Sequence, residues 1–269
     1  MINTIIHSVN NPARLRILLQ SIQKNSGETF NLNILHQPHK DKNIEALYDR
    51  LKQEFRGINW LNYSDFKQNI LLLLQNNSIL SLFLRDDDII YRKELGLKNI
   101  ETTLVNHQDS ICFSLRLGKN TKLSQQAGTT NTLYGEIELP YNMMKFDWQK
   151  HYLDYHDAFS TGNVFRTKDL LKFIKSTQFS NFDEMEYNMS EIFETFPKNM
   201  MLSFRESVLV KDISGPAQEQ ITQLWNSNKP IELEEMKFDN VDGAWCYISK
   251  PTREVIVETE PIKSDEDVR

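Results

Sequence analysis

Short apolar segments alternate with amphipathic helical patterns through the first third of the chain. Residues 4–9 are rich in β-branched side chains, and apolar residues then recur at helical spacing from Leu15 to Ile22. Two further helical patterns follow, and strand-like segments at 32–36, 58–61 and 79–84 alternate with the helical patterns. This alternation with short links predicts an α/β fold in which helices flank a mostly parallel central sheet.

The composition narrows the class of protein. A chain of 269 residues is long enough to bury a large hydrophobic core without stabilisation by a metal ion or by disulfide bonds. Its formal net charge of −6 argues against a nucleic-acid partner, because such binders carry a basic excess. The two cysteines, Cys112 and Cys246, form neither a metal-binding pattern nor a disulfide framework, which favours a reducing compartment.

The sequence carries no recognisable targeting segment. Its start lacks a basic region followed by a long apolar stretch, which argues against a signal peptide. The most apolar stretch, residues 70–84, is interrupted by polar residues at 75–78 and falls short of the roughly 20 residues of a membrane span. We therefore expect a cytoplasmic protein without a transmembrane segment, with peripheral membrane contact left open and the oligomeric state undetermined.

One acidic cluster stands out at the end of the fourth predicted strand. Arg85 is followed by Asp86, Asp87 and Asp88, and three adjacent carboxylates repel one another unless a cation neutralises them. If the segment stays extended, Asp86 and Asp88 point to the same side. Paired carboxylates suit a hard divalent cation, Mg²⁺ or Mn²⁺, that is shared with phosphate oxygens. A solvated acidic turn is the alternative reading.

Several segments together resemble the GT-A-type glycosyltransferases, and most closely glycosyltransferase family 2. The family's opening pattern after the first strand is similar to residues 10–22, its R/K-x-N segment to residues 67–69, and its F-L-x-D-D-D strand to residues 83–88. Residues 160–166 resemble its S-G-x-x-F-R strand. The resemblance implies a GT-A-like domain over residues 1–215, with a nucleotide-sugar half at about 1–100 and an acceptor half at 101–215. Residues 216–269 are expected to form a C-terminal helix and a polar tail.

The resemblance also implies an activity and a donor site. A metal-dependent enzyme of this kind moves a sugar from a nucleotide-diphosphate donor, most simply a UDP-sugar, to a hydroxyl of a glycan or glycoconjugate, with inversion. Asp86 and Asp88 are the expected metal ligands, with Asp88 the more direct one. Arg85 either touches a phosphate or pairs with the neighbouring aspartates. The remaining donor-binding candidates are Val9, Asn10, Arg14, His36, Gln37, Asn69 and Asp87.

The general base and the acceptor site are less closely matched by the family pattern. The base usually lies in a Glu-Asp pair before a helix, and Asp183 or Glu184 occupies that region here. Many members carry a further histidine ligand after the last strand; here Asp212 takes that place or the ligand is absent. The acceptor-binding candidates are His156, Asp157, Gly162 and Asn163. For His156 and Asp157, a structural hydrogen-bonded pair is the alternative, and the sequence slightly favours it.

Two other functions remain open at this point. A non-catalytic sugar-nucleotide-binding module would keep the fold without a working base. A nucleotidyltransferase also uses paired aspartates and a metal. The chain lacks the G-x-x-x-x-G-K-[ST] phosphate loop, the G-x-G-x-x-G fingerprint and the G-x-S-x-G elbow, which argues against P-loop kinases, dinucleotide enzymes and α/β-hydrolases.

Overall fold

The computed structural model describes residues 1–37, 40–121, 136–148, 161–193, 197–212 and 245–246. These residues form twelve strands and six α-helices. The strands are β1 (Ile2–Val9), β2 (Phe30–Gln37), β3 (Asn59–Asn62), β4 (Leu80–Arg85), β5 (Asp88–Ile90), β6 (Ser110–Ser114), β7 (Ile137–Leu139), β8 (Met143–Asp147), β9 (Asn163–Arg166), β10 (Met200–Phe204), β11 (Leu209–Asp212) and β12 (Trp245–Cys246). The helices are α1 (Pro12–Ser26), α2 (Lys42–Glu54), α3 (Phe66–Leu74), α4 (Ile100–Asn106), α5 (Thr167–Ser176) and α6 (Phe182–Phe193).

A nine-stranded sheet in the order β3-β2-β1-β4-β9-β6-β10-β8-β7 forms the centre of the molecule. Seven of its strands run in one direction, and β8 and β9 run against them. A second sheet in the order β12-β11-β5 lies beside it. The predicted α/β architecture, with helices on both sides of a mostly parallel central sheet, is confirmed.

Two apolar clusters cover the two faces of the central sheet. Alternation along β4 sends Leu82 and Leu84 into the cluster that contains α1 and α2, and Phe83 into the one that contains α3, α5 and α6. This alternation continues into the site, because Arg85 follows Phe83 on the side of α6. Among the described residues, no helix is both long and apolar enough to cross a bilayer.

Some elements differ from those that the sequence predicts. The apolar run at 111–117 predicts a strand, but the strand ends at Ser114. Apolar residues at helical spacing over 185–196 predict a helix, and the helix already begins at Phe182. The strands β5, β7, β8, β10 and β12 and the helix α4 were not predicted. The first two have only three residues each, and β8 mixes methionine, lysine and phenylalanine without clear alternation, so periodicity gives no signal there.

Candidate functional site

The ends of the parallel strands β1, β2 and β4 meet at one edge of the sheet. In the paired registers, Ser8 lies opposite His36 and His7 lies opposite Arg85. Ligands of open α/β sheets bind outside the carboxyl ends of the strands. The structure therefore brings the acidic cluster to the expected edge, beside the turn that links β1 to α1.

The chain does not stay extended through the acidic cluster, so the condition under which Asp86 and Asp88 would point to the same side is not met. The backbone turns at Asp86 and Asp87 and re-enters a strand at Asp88. The side chain of Asp88 closes this turn, because its Oδ2 accepts a hydrogen bond from the backbone N–H of Arg85 at 2.8 Å. The three carboxylates consequently contact different neighbours.

Asp86 is bound to the β1–α1 turn. Its Oδ2 accepts hydrogen bonds from Ser8 Oγ at 2.9 Å and from the backbone N–H of Val9 at 3.3 Å, and its Oδ1 lies 3.4 Å from Asn11 Nδ2. Tyr48 completes this network, with its hydroxyl 2.8 Å from Ser8 Oγ and accepting from the Asn11 N–H at 3.1 Å. Asp86 therefore holds the turn in place with both of its oxygens.

Asp87 and Asp88 face two cations supplied by distant segments. Lys211 lies opposite Asp88 in the β5–β11 pair, and its Nζ is 3.7 Å from Asp87 Oδ2. Arg116, which is buried, interacts electrostatically with Asp88. Burial raises the pKa of Asp88 to about 7, although Arg116 opposes that shift. Within the described part of the chain, Oδ1 of Asp87 and Oδ1 of Asp88 are buried without a hydrogen-bond partner.

Gly162 makes room for the Arg116 side chain. A Cβ at this position would lie 2.5 Å from Arg116 Cδ and 3.1 Å from Leu209 Cδ2, and the backbone there has a φ of +74°. Arg116 Nη1 donates to Thr161 Oγ1 at 3.2 Å. Gly162 and its buried neighbour Asn163, predicted as acceptor residues, thus lie beside the arginine that faces the acidic cluster.

Arg85 links the acidic cluster to the beginning of α6. Its Nη1 donates to Asp183 Oδ1 at 3.0 Å and to Glu186 Oε2 at 2.9 Å, and its guanidinium lies 5.4 Å from the centre of the Phe182 ring. His7 stacks on Phe182 with ring centroids 4.6 Å apart. Arg85 also interacts electrostatically with Asp86 and Asp87, in line with one of its two predicted roles, and a contact with phosphate stays a prediction.

The two candidate bases differ in their surroundings. Glu184 accepts hydrogen bonds from the backbone N–H and the hydroxyl of Ser180, and its own N–H donates to Asn181 Oδ1. These contacts form a helix cap, and they hold the pKa of Glu184 below its usual value. Asp183 is 77% exposed and bound to Arg85. Asp183 is thus the one of the two that lies next to the acidic cluster.

The other predicted donor residues lie around the same edge. Asn10 has a φ of 59° in the β1–α1 turn, Gln37 is exposed at the end of β2, and Arg14 is buried on the first turn of α1. His36 is buried, 3.2 Å from Glu45. Asn69 lies on α3 and donates to the carbonyl of Asn62 at 2.6 Å.

The side chains of three predicted residues lie outside the part of the chain that the structure describes. His156 and Asp157 fall outside the described residues. Asp212 is the last residue of β11, one position after Lys211, so its backbone lies near the acidic cluster. Its role as a metal ligand stays a prediction.

Sequence reasoning missed five residues of the site. Arg116 had a usable signal, since a charged residue in an apolar run requires a partner when the run is buried. Glu186 lies three positions after Asp183 and shares its helix face. No local sequence pattern marks the other three residues, because their partners come from distant elements. These residues are His7, Tyr48 and Lys211.

The charges of the site fit a divalent cation. Among the described residues, Asp86, Asp87, Asp88, Asp183 and Glu186 face only three cations, namely Arg85, Arg116 and Lys211. Two negative charges are left uncompensated when all five carboxylates are ionised, and three buried carboxylate oxygens of this set lack hydrogen bonds among the described residues, namely Asp87 Oδ1, Asp88 Oδ1 and Glu186 Oε1. No three such ligands are grouped closely enough within this part of the chain to hold an ion unaided. Phosphate oxygens would have to complete the coordination shell.

Comparison with known proteins finds solved structures with a weakly similar fold. No family model and no curated protein matches the chain. S. aureus TarS 1-349 in complex with UDP aligns with a TM-score of 0.48 at 17% identity, over 87% of this chain and 68% of that chain. The same TarS fragment without UDP gives a TM-score of 0.46 at 15% identity, over the same shares. A cytidylyltransferase from Leptospira borgpetersenii serovar Hardjo-bovis gives 0.45 at 10% identity, over 77% of each chain. Likenesses at this level carry no argument about activity.

Replacing Gly162 by alanine tests the placement of Arg116. Gly57→Ala is the matched control, because Gly57 also has a positive φ (+87°) but nothing lies within 4 Å of an added Cβ. We expect Gly162→Ala to lower the free energy of unfolding by about 1–3 kcal/mol more than Gly57→Ala does, since overpacking adds to backbone strain. Urea unfolding measures the difference, and equal losses in the two variants would contradict the packing described.

The pH dependence of stability tests the environment of Asp86. Burial, reinforced by Asp87, raises the pKa of Asp86 from 3.8 to about 7. Between these two pH values the folded state therefore binds a proton that the unfolded state has released, and stability falls as pH rises. We expect the unfolding free energy of metal-free wild type, relative to that of Asp86→Asn, to fall from about pH 4 to about pH 7 and then level off. The subtraction removes the opposing contribution of His7, whose pKa burial lowers to about 4. Parallel curves for the two proteins would exclude a raised pKa.

Proposed function

We propose that this protein is an inverting glycosyltransferase that uses a nucleotide-diphosphate sugar and a divalent cation, Mn²⁺ or Mg²⁺. Its acceptor would be a hydroxyl of a glycan or glycoconjugate. The observation that carries the proposal is the turn at Asp86–Asp88, which places three carboxylates at the carboxyl edge of the parallel strands, two of them with a buried oxygen that has no hydrogen-bond partner among the described residues. The resemblance of the sequence to glycosyltransferase family 2 supplies the inversion and the type of donor.

Asp87 and Asp88 are the proposed ligands of the cation. Each has a buried Oδ1 without a hydrogen-bond partner among the described residues, whereas both oxygens of Asp86 already bind the β1–α1 turn. When bound, the cation would neutralise charge that develops on the departing diphosphate. Lys211, 3.7 Å from Asp87, is near enough to contribute a second positive charge there.

The nucleoside is proposed to bind at the ends of β1 and β2. Val9 and Asn10 form the turn that Asp86 anchors, and Gln37 is exposed at the adjacent strand end. Asp86 would then act as a positioning residue, because it fixes the backbone against which the nucleoside lies. UDP, which is bound in one of the similar TarS structures, is the first nucleotide to test.

Asp183 is the proposed general base. It is largely exposed, so an acceptor hydroxyl can reach it, and Arg85 holds it beside the acidic cluster. A base in this position takes the proton of the acceptor hydroxyl while the hydroxyl oxygen attacks the anomeric carbon and the nucleoside diphosphate leaves. Arg85 acts as a positioning residue, with Glu186 as its second partner.

Asp183→Asn and Glu184→Gln form the decisive pair of variants. A panel of nucleotide sugars and acceptors is assayed for released nucleoside diphosphate, and Mn²⁺-dependent UDP binding is measured by calorimetry. We expect Asp183→Asn to lower sugar transfer about 10²- to 10⁴-fold without changing UDP binding, because only the base is lost. Glu184→Gln keeps the cap geometry and should retain transfer. Asp88→Asn should abolish the Mn²⁺ dependence of UDP binding.

Other products would point to other functions. Release of pyrophosphate instead of a nucleoside diphosphate would identify a nucleotidyltransferase. Nucleotide binding without transfer to any acceptor would favour a non-catalytic module, which the engagement of both Asp183 and Glu184 in side-chain contacts also allows. If no nucleotide binds in a cation-dependent way, the proposed donor site is wrong.

A further inference from the structure

A groove opens at the opposite edge of the sheet from the acidic cluster. It lies where β4 and α5 begin, and it encloses about 520 Å³. Leu74, Ile79, Val105, Lys168 and Leu171 line it. Because the carboxylates follow the other end of β4, this groove is separate from the proposed donor site.

Exposed apolar side chains lie at the groove beside its polar lining residues Gln75, Asn77, Ser78 and Gln108. Ile79 is 55% exposed and Val105 is 44% exposed. Leu72, which is 59% exposed, lies one helical turn before Gln75, and Gln75 also lines the groove. Single exposed apolar residues are ordinary on a protein surface, but several around one groove indicate an interaction surface.

The outer face of α5 continues this surface with positive charge. Lys168, Leu171, Lys172 and Lys175 recur at i, i+3, i+4 and i+7, which places them on one side of the helix. All three lysines are exposed. The only acid within α5, Asp169, is mostly buried; its Oδ2 lies 3.0 Å from Lys198 and 3.7 Å from Arg166.

We propose that this surface, the groove rim with the lysine face of α5, docks onto an anionic membrane. Leu72, Ile79 and Val105 are suited to the boundary between lipid headgroups and acyl chains, and the lysines of α5 are suited to acidic headgroups. Charge complementarity favours lipid over a second copy of the chain, because a two-fold pairing through this surface would bring six lysines together. A chain with a net charge of −6 thus carries one locally basic face.

The docked protein would keep its carboxylate edge away from the lipid. The groove adjoins the beginning of β4, and Asp86 follows the end of the same strand. The proposed donor crevice would therefore stay open to solvent while the chain is bound. The inference does not depend on the proposed sugar transfer, since it concerns a different surface.

Sedimentation of the full chain with lipid vesicles tests the proposal. Vesicles of phosphatidylcholine alone are compared with vesicles that also contain phosphatidylglycerol, at low and high salt. We expect binding to the anionic vesicles only, weakened by salt. Each basic residue near an anionic surface strengthens binding about fivefold, so the triple variant Lys168→Gln/Lys172→Gln/Lys175→Gln should lose about a hundredfold in affinity. Ile79→Ser/Val105→Ser should weaken binding at both salt concentrations.

Ile137→Ser/Tyr141→Ser is the matched control, because both residues are exposed apolar residues of the β7–β8 hairpin region, away from the groove. It should bind anionic vesicles as wild type does, and circular dichroism checks that all variants are folded. Absence of binding to anionic vesicles, or equal binding by all variants, would overturn the proposal. Concentration-dependent dimerisation that the groove variants abolish would assign the surface to a second copy instead.

Discussion

The crowding of three carboxylates at the end of β4 is the constraint on which the site depends. Asp86, Asp87 and Asp88 cannot share one environment, and the turn sends each to different neighbours. Asp86 is held by hydrogen bonds from the β1–α1 turn, whereas Asp87 and Asp88 face Lys211 and Arg116. The negative charge that remains would attract a divalent cation, and the cation would in turn bind the oxygens of a diphosphate.

The same constraint explains why distant elements converge on this edge. Arg116 reaches Asp88 only because Gly162 leaves space for its side chain, and Lys211 arrives through the pairing of β11 with β5. On the other face of the sheet, Arg85 fastens the beginning of α6 and thereby places Asp183 beside the acidic cluster. Charged side chains at the end of β4 thus connect the proposed donor side of the site with the proposed acceptor side.

The sequence was sufficient for the parallel half of the fold and for the location of the acidic cluster. Strand-helix alternation is a local pattern, and parallel strands necessarily deliver their carboxyl ends to one edge. It was not sufficient for the turn at Asp86–Asp87, because the hydrogen bond from the Arg85 N–H to Asp88 and the pairing of β5 with β11 decide that geometry. Tyr48 and Lys211 were missed for the same reason, since their partners lie far away in sequence.

Anomalous diffraction from a crystal grown with Mn²⁺ and UDP tests the central claim most directly. The account predicts one manganese peak bound by carboxylate oxygens of Asp87 and Asp88 and by diphosphate oxygens, with Asp86 still bonded to Ser8. A nucleotide bound at this edge without manganese, with Lys211 and Arg116 as the sole cations at its phosphates, would contradict it. So would a manganese ion bound away from the turn.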